Sequence, residues 1–74
     1  MQLFSRRVRV RVIKDEKDRM DKWAIDTCNG EKVSETLNLR TGKRECVYRF
    51  GSVEMKEEFL RGLEPNFGSA VQVI

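Results

Sequence analysis

Arg7, Arg9 and Arg11 alternate strictly with Val8, Val10 and Val12 near the start of the chain. A guanidinium group is a planar fork of donors that matches the oxygens of a phosphate or carboxylate. A row of them at alternate positions suits a run of anionic groups. Successive odd residues of a strand are about 6.6–6.8 Å apart, close to the spacing of phosphates along one nucleic-acid strand. Arg40, Lys43, Arg44 and Arg49 add further cations in the middle of the chain. These seven residues are the candidate site, for nucleic-acid backbone or for an acidic protein partner.

Other chemistry is poorly supplied. Histidine, the commonest general base, is absent from the sequence. Two cysteines, Cys28 and Cys46, are far apart and cannot form a four-ligand zinc site within one chain. They read as reduced thiols of a cytoplasmic protein. Asp15, Glu16, Asp18 and Asp21 fall in a mixed-charge loop without the glycine and closing glutamate of a calcium loop. Ser52 is explained by helix capping rather than nucleophilic catalysis. The expectation is a non-enzymatic protein with no catalytic residue, metal or cofactor.

Charge is uneven along the 74 residues, whose net value is +3. Residues 1–22 hold eight Lys/Arg against four Asp/Glu, whereas residues 51–74 hold two against four. Such asymmetry speaks to partners rather than to fold. Apolar residues make up 39% of the chain, enough for one small core and one domain over 1–74. No run is long enough for a membrane span, and the start lacks the apolar segment of a secretory signal.

The elements that must position the arginines follow from periodicity. Alternation over 7–12 is the strand period, with valines on one face and arginines on the other. Second, third and fourth strands are expected at 22–28, 33–40 and 43–50. Asn29-Gly30 and Thr41-Gly42 would be the hairpin turns. A two-residue turn at Thr41-Gly42 pairs Leu37 with Cys46, Glu35 with Tyr48 and Val33 with Phe50. A three-residue bulged loop at Asn29-Gly30-Glu31 pairs Thr27 with Val33 and Trp23 with Leu37. A helix capped by Ser52 is expected over 53–62, with Glu57 and Arg61 as an i,i+4 pair. Gly62 and Pro65 would end it. Residues 70–74 would form a short last strand or a tail.

The expected fold is α+β: a small antiparallel four-stranded sheet, a meander open to barrel-like closure, with one helix on one face. Its core would be Val8, Val10, Val12, Trp23, Ile25, Val33, Leu37, Leu39, Cys46, Tyr48, Phe50, Met55, Phe59, Leu60 and Leu63. Phe4 and Phe67 would lie outside the assigned elements. The stretch Leu37-Asn38-Leu39-Arg40-Thr41-Gly42-Lys43, with Val47-Tyr48-Arg49-Phe50 and the helix up to Leu63, resembles the last two strands and closing helix of a pleckstrin-homology domain. That family has more strands before its helix than fit here, and Phe59 stands where it usually has tryptophan. No lipid site is carried over.

The face opposite the helix would then collect Arg7, Arg9, Arg11, Ala24, Asp26, Ser34, Thr36, Asn38, Glu45, Val47 and Arg49. Asp26 and Glu45 could neutralise part of it. It carries no aromatic side chain on which bases could stack, so nucleic-acid binding would be salt-sensitive and largely indifferent to sequence. The alternative is a protein-interaction module, an inhibitor or adaptor, that uses the same basic face or the free edge of strand one. A homodimer through an open edge is expected, and no membrane partner.

Overall fold

The alternation at the start of the chain becomes strand β1, Arg7–Val12, in the computed structural model, which describes residues 5–74. Phe4 lies outside the described residues. Val8, Val10 and Val12 are buried, while Arg7 and Arg9 are exposed. β2 spans Gly30–Leu37, β3 Arg44–Phe50 and β4 Val71–Val73. The sheet is antiparallel with strand order β2-β3-β1-β4. Helix α2, Val53–Phe67, packs on the valine face. This is the expected α+β class with its four strands, covering helix and C-terminal strand.

The route through the sheet differs from a meander, and the sheet is open rather than closed. β1 sits between β3 and β4, so the edges belong to β2 and β4. The edge of strand one, expected to be free for a partner, is occupied by β4. C-terminal valines reach it because Val71 and Val73 share the face of Val12 and Val10.

Residues 22–28 are helical, not a strand. A 3-10 turn at Lys14–Glu16 leads into α1, Lys17–Lys22, and the chain then widens into a π turn at Trp23–Thr27. Cys28 N–H closes that turn on the Trp23 carbonyl at 3.1 Å. The cause is a second period in the same residues. Met20, Ala24 and Cys28 recur every fourth position and all are 0% exposed. Asn29, at φ 56°, takes the left-handed conformation that lets the chain leave the helix. Asn29-Gly30 is therefore a helix exit and not a hairpin, and the pairings expected for Thr27 and Trp23 do not form.

The β2–β3 connection is set by Asn38. Its side-chain oxygen accepts from the N–H groups of Arg40 and Thr41, at 2.9 and 3.3 Å. Its backbone N–H donates to the Lys43 carbonyl at 2.9 Å, and Gly42 follows at φ 71°. The loop thus spans Leu39 to Gly42 instead of two residues. Leu37 pairs with Arg44 and Glu35 with Cys46. A bulge at Val33 then changes the parity, placing Lys32 opposite Tyr48 and Gly30 opposite Phe50. Val33 is consequently exposed rather than core, and so are Leu37 at the end of β2, Leu39 in the loop and Ile25 in the π turn. Met20, Ala24, Cys28 and Phe67 join the core in their place.

α2 begins as expected, with the Ser52 hydroxyl accepting from Met55 N–H at 3.2 Å. It runs through Gly62 and Pro65 and stops at Gly68, whose φ is 55°. Gly62 serves close approach: a Cβ there would collide with the Trp23 ring. Trp23 Nε1–H donates to the Phe59 carbonyl at 3.2 Å, fixing the indole on the helix. Phe59 in turn meets Phe50 and Tyr48, with ring centroids 4.9 and 5.7 Å apart. Arg61 pairs with Glu58, one turn back, instead of Glu57. Among the described residues no helix is long and apolar enough to cross a membrane.

Candidate anion-binding face

β1 and β3 place four arginines on the sheet face away from α2. The register sets Arg7 opposite Arg49, Arg9 opposite Val47 and Arg11 opposite Glu45. Phe50 N–H donates to the Arg6 carbonyl at 2.9 Å, which makes Arg6 and Phe50 a hydrogen-bonded pair. Antiparallel pairs alternate in kind, so Arg7 and Arg49 form a non-hydrogen-bonded pair, the kind whose side chains stand closer. Like charges directly opposite one another destabilise a sheet. An anion between them would reverse the sign of that term.

Compensation is partial. Arg11 donates through Nε and Nη2 to Glu45 Oε2, at 3.2 and 3.1 Å. Asn38 donates to the same oxygen at 3.1 Å. Hydrogen bonds from Asn38 and Arg11 hold the Glu45 carboxyl below its ordinary range. Arg49 reaches Glu31 only at 3.3–3.4 Å. Arg7 and Arg9 have no ion-pair partner among the described residues.

The other expected site residues fall elsewhere. Arg44 shares the face of Val12 and Cys46, and its guanidinium lies 3.4 Å from Glu35. Arg40 is exposed on the β2–β3 loop, and Lys43 directly precedes β3. Both stand at the end of the sheet where Arg11 lies, and neither joins the Arg7–Arg49 group. Ala24 and Asp26, expected on this face, lie in the π turn, so the neutralising role expected of Asp26 passes to Glu31. Ser5 and Arg6 were missed. They border a 340 Å³ hollow with Arg7 and Arg49. The signal available for them was adjacency to the arginine row. Val33, Val47 and Ile74 form an apolar island beside Arg7 and Arg9.

A second polar cluster lies on the helix side of the sheet. Lys32 Nζ bridges Asp21 Oδ2, at 2.9 Å, and Glu35. Lys17 lies 3.4 Å from Asp21 and 3.8 Å from Glu35. The buried Tyr48 hydroxyl donates to Asp21 Oδ1 at 2.6 Å. Burial alone would raise the Asp21 pKa, but the Tyr48 and Lys32 hydrogen bonds outweigh it and hold the carboxyl low. The Lys32 hydrogen bond does the same for Glu35. Burial and the Asp21 contact push the Tyr48 phenol up, so it stays a neutral donor. Donor atoms of Asp21, Glu35 and Cys46 lie within 4.8 Å of one another. With Lys32 between the carboxylates, this is a folding network rather than an open ligand set.

Comparison with protein-family models, with curated proteins and with solved structures gives no match to this chain. The functional reading therefore rests on the face itself.

Proposed function

We propose that the chain is a small non-enzymatic binding protein whose open sheet face engages the phosphate backbone of a nucleic acid. The observation that carries this reading is the Arg7–Arg49 pair, with Arg9 next along β1 and no carboxylate on Arg7 or Arg9 among the described residues. Guanidinium forks on a rigid strand suit phosphate oxygens. No aromatic side chain is on this face among the described residues, so contact would run through the backbone with little base preference. Buried thiols fit a reducing compartment, the cytoplasm. The test is binding of an oligonucleotide by wild type and R7Q/R9Q at two salt concentrations. Loss of affinity in the variant and at high salt supports the reading.

An acidic protein partner is the second reading. It is favoured by the island of Val33, Val47 and Ile74, since an apolar centre with an arginine rim is how protein interfaces are built. A V47S/V33S variant separates the two: it should lose a protein partner and keep nucleic acid. Homodimer pairing would have to use β2 or β4, because β1 is interior.

A further inference from the structure

The hollow bordered by Ser5, Arg6, Arg7 and Arg49 sits at the end of the arginine row, where β1 begins and β3 finishes. Its walls are held in place. Lys56 Nζ donates to the Ser5 carbonyl at 2.7 Å, and Arg6 Nη1 donates to the Gly51 carbonyl at 3.0 Å. The Ser5 hydroxyl accepts from Arg7 N–H at 3.3 Å. The α2 N-terminus begins beside Gly51, and its dipole adds positive potential at this end. Three arginines thus border a volume of about 340 Å³, Arg7 and Arg49 from the open face and Arg6 from the neighbouring strand position, tied to Gly51. Among the described residues only Glu31, 68% exposed, offers Arg49 a carboxylate, and at 3.3 Å.

From this geometry we infer that the hollow is a subsite for a terminal phosphate group, a monoester at the end of a nucleic-acid strand. The inference deepens the backbone-binding reading and rests on it. An internal phosphodiester carries one charge and two free oxygens. A terminal monoester carries about −1.5 to −2 at neutral pH and three acceptor oxygens. Three arginines lining one hollow, with the paired Arg7 and Arg49 side by side, match the second better than the first. Arg9 lies one strand repeat from Arg7 and would meet the next phosphate inward. The end group would displace Glu31 from Arg49, exchanging a long, exposed ion pair for shorter charge-assisted bonds.

The same single-stranded oligonucleotide, carrying a 5′-phosphate, a 3′-phosphate or hydroxyl groups at both ends, is titrated into the full chain by fluorescence anisotropy. One phosphorylated form should bind at least about tenfold more tightly than the hydroxyl form, and which one it is identifies the strand end. R49Q and R6Q should bring that ratio towards one. E31Q, an exposed change that leaves the fold alone, should raise it by freeing Arg49. Equal binding of all three forms overturns the inference and leaves backbone binding standing. Failure of every form to bind overturns both. A preference that survives in folded R49Q and does not grow in E31Q assigns the end group elsewhere and also overturns the inference.

Discussion

The Trp23 indole lies against the bare backbone of Gly62, in space that a Cβ at Gly62 would need. This contact seats the α1 and π-turn segment on α2. Alanine normally stabilises an exposed mid-helix position over glycine by about 1 kcal/mol. Here G62A should instead destabilise, by about 1–3 kcal/mol, because it overpacks a fixed ring. Denaturant melts of G62A, W23A and the double variant check this. The G62A penalty should vanish, or change sign, in the W23A background.

The Tyr48–Asp21–Lys32 network sets a pH window. Asp21 and Glu35 titrate below their usual range in the fold. Their contribution is present above the unfolded carboxylate pKa, about 4, and is lost as pH falls through the folded values. Lys32 titrates above its usual range: burial opposes its charge, but the Glu35 and Asp21 hydrogen bonds outweigh burial. Its contribution is full below about pH 10.4 and is lost as pH rises through the folded value. Stability should therefore be flat from weakly acidic to weakly alkaline pH and fall on both sides. Y48F should cost about 1.5–3 kcal/mol near neutrality, where the phenol donates to a charged carboxylate. The penalty should shrink as pH falls through the lowered Asp21 value and the carboxylate protonates. Urea melts of both proteins across pH measure it.

Cys28 and Cys46 are free and fully buried. Burial pushes both thiols up, helped at Cys28 by Glu58. Thiolate is therefore scarce as well as inaccessible. A thiol reagent should label the native protein at least about a hundredfold more slowly than the protein in denaturant, because reaction waits for opening. Fast labelling of one residue in the native state would contradict the core described above.

How far the sequence was legible depended on whether one period or two ran through a stretch. β1 was plain because valine and arginine alternate without exception, so parity alone put Arg7, Arg9 and Arg11 on one face. Cys46, Tyr48 and Phe50 did the same for β3. Residues 20–28 carry two periods at once. Trp23, Ile25 and Thr27 alternate like a strand, while Met20, Ala24 and Cys28 repeat like a helix. Burial chose the second, since it closes the valine face of the sheet. The Asn38 side chain lengthened a loop that Thr41-Gly42 alone would have kept short. The Val33 bulge then moved Glu31 beside Arg49, a neighbour that strand spacing could not supply. Arg44 stands at the end of the sheet beside Lys43, on the face of Cys46 and next to Glu35, apart from the open-face arginines.

The central claim is that Arg7 and Arg9 are free to neutralise phosphate. It is tested most directly by the slope of log binding constant against log salt for duplex DNA, wild type beside R7Q/R9Q. Each phosphate neutralised contributes about 0.9 to that slope. The variant should therefore be shallower by about 1.8 log units per log unit. Its stability should stay within about 0.5 kcal/mol of wild type, as for exposed changes elsewhere. An unchanged slope, or a wild-type protein that fails to bind DNA or RNA at about 50 mM salt, would contradict the claim and turn the face towards an acidic protein.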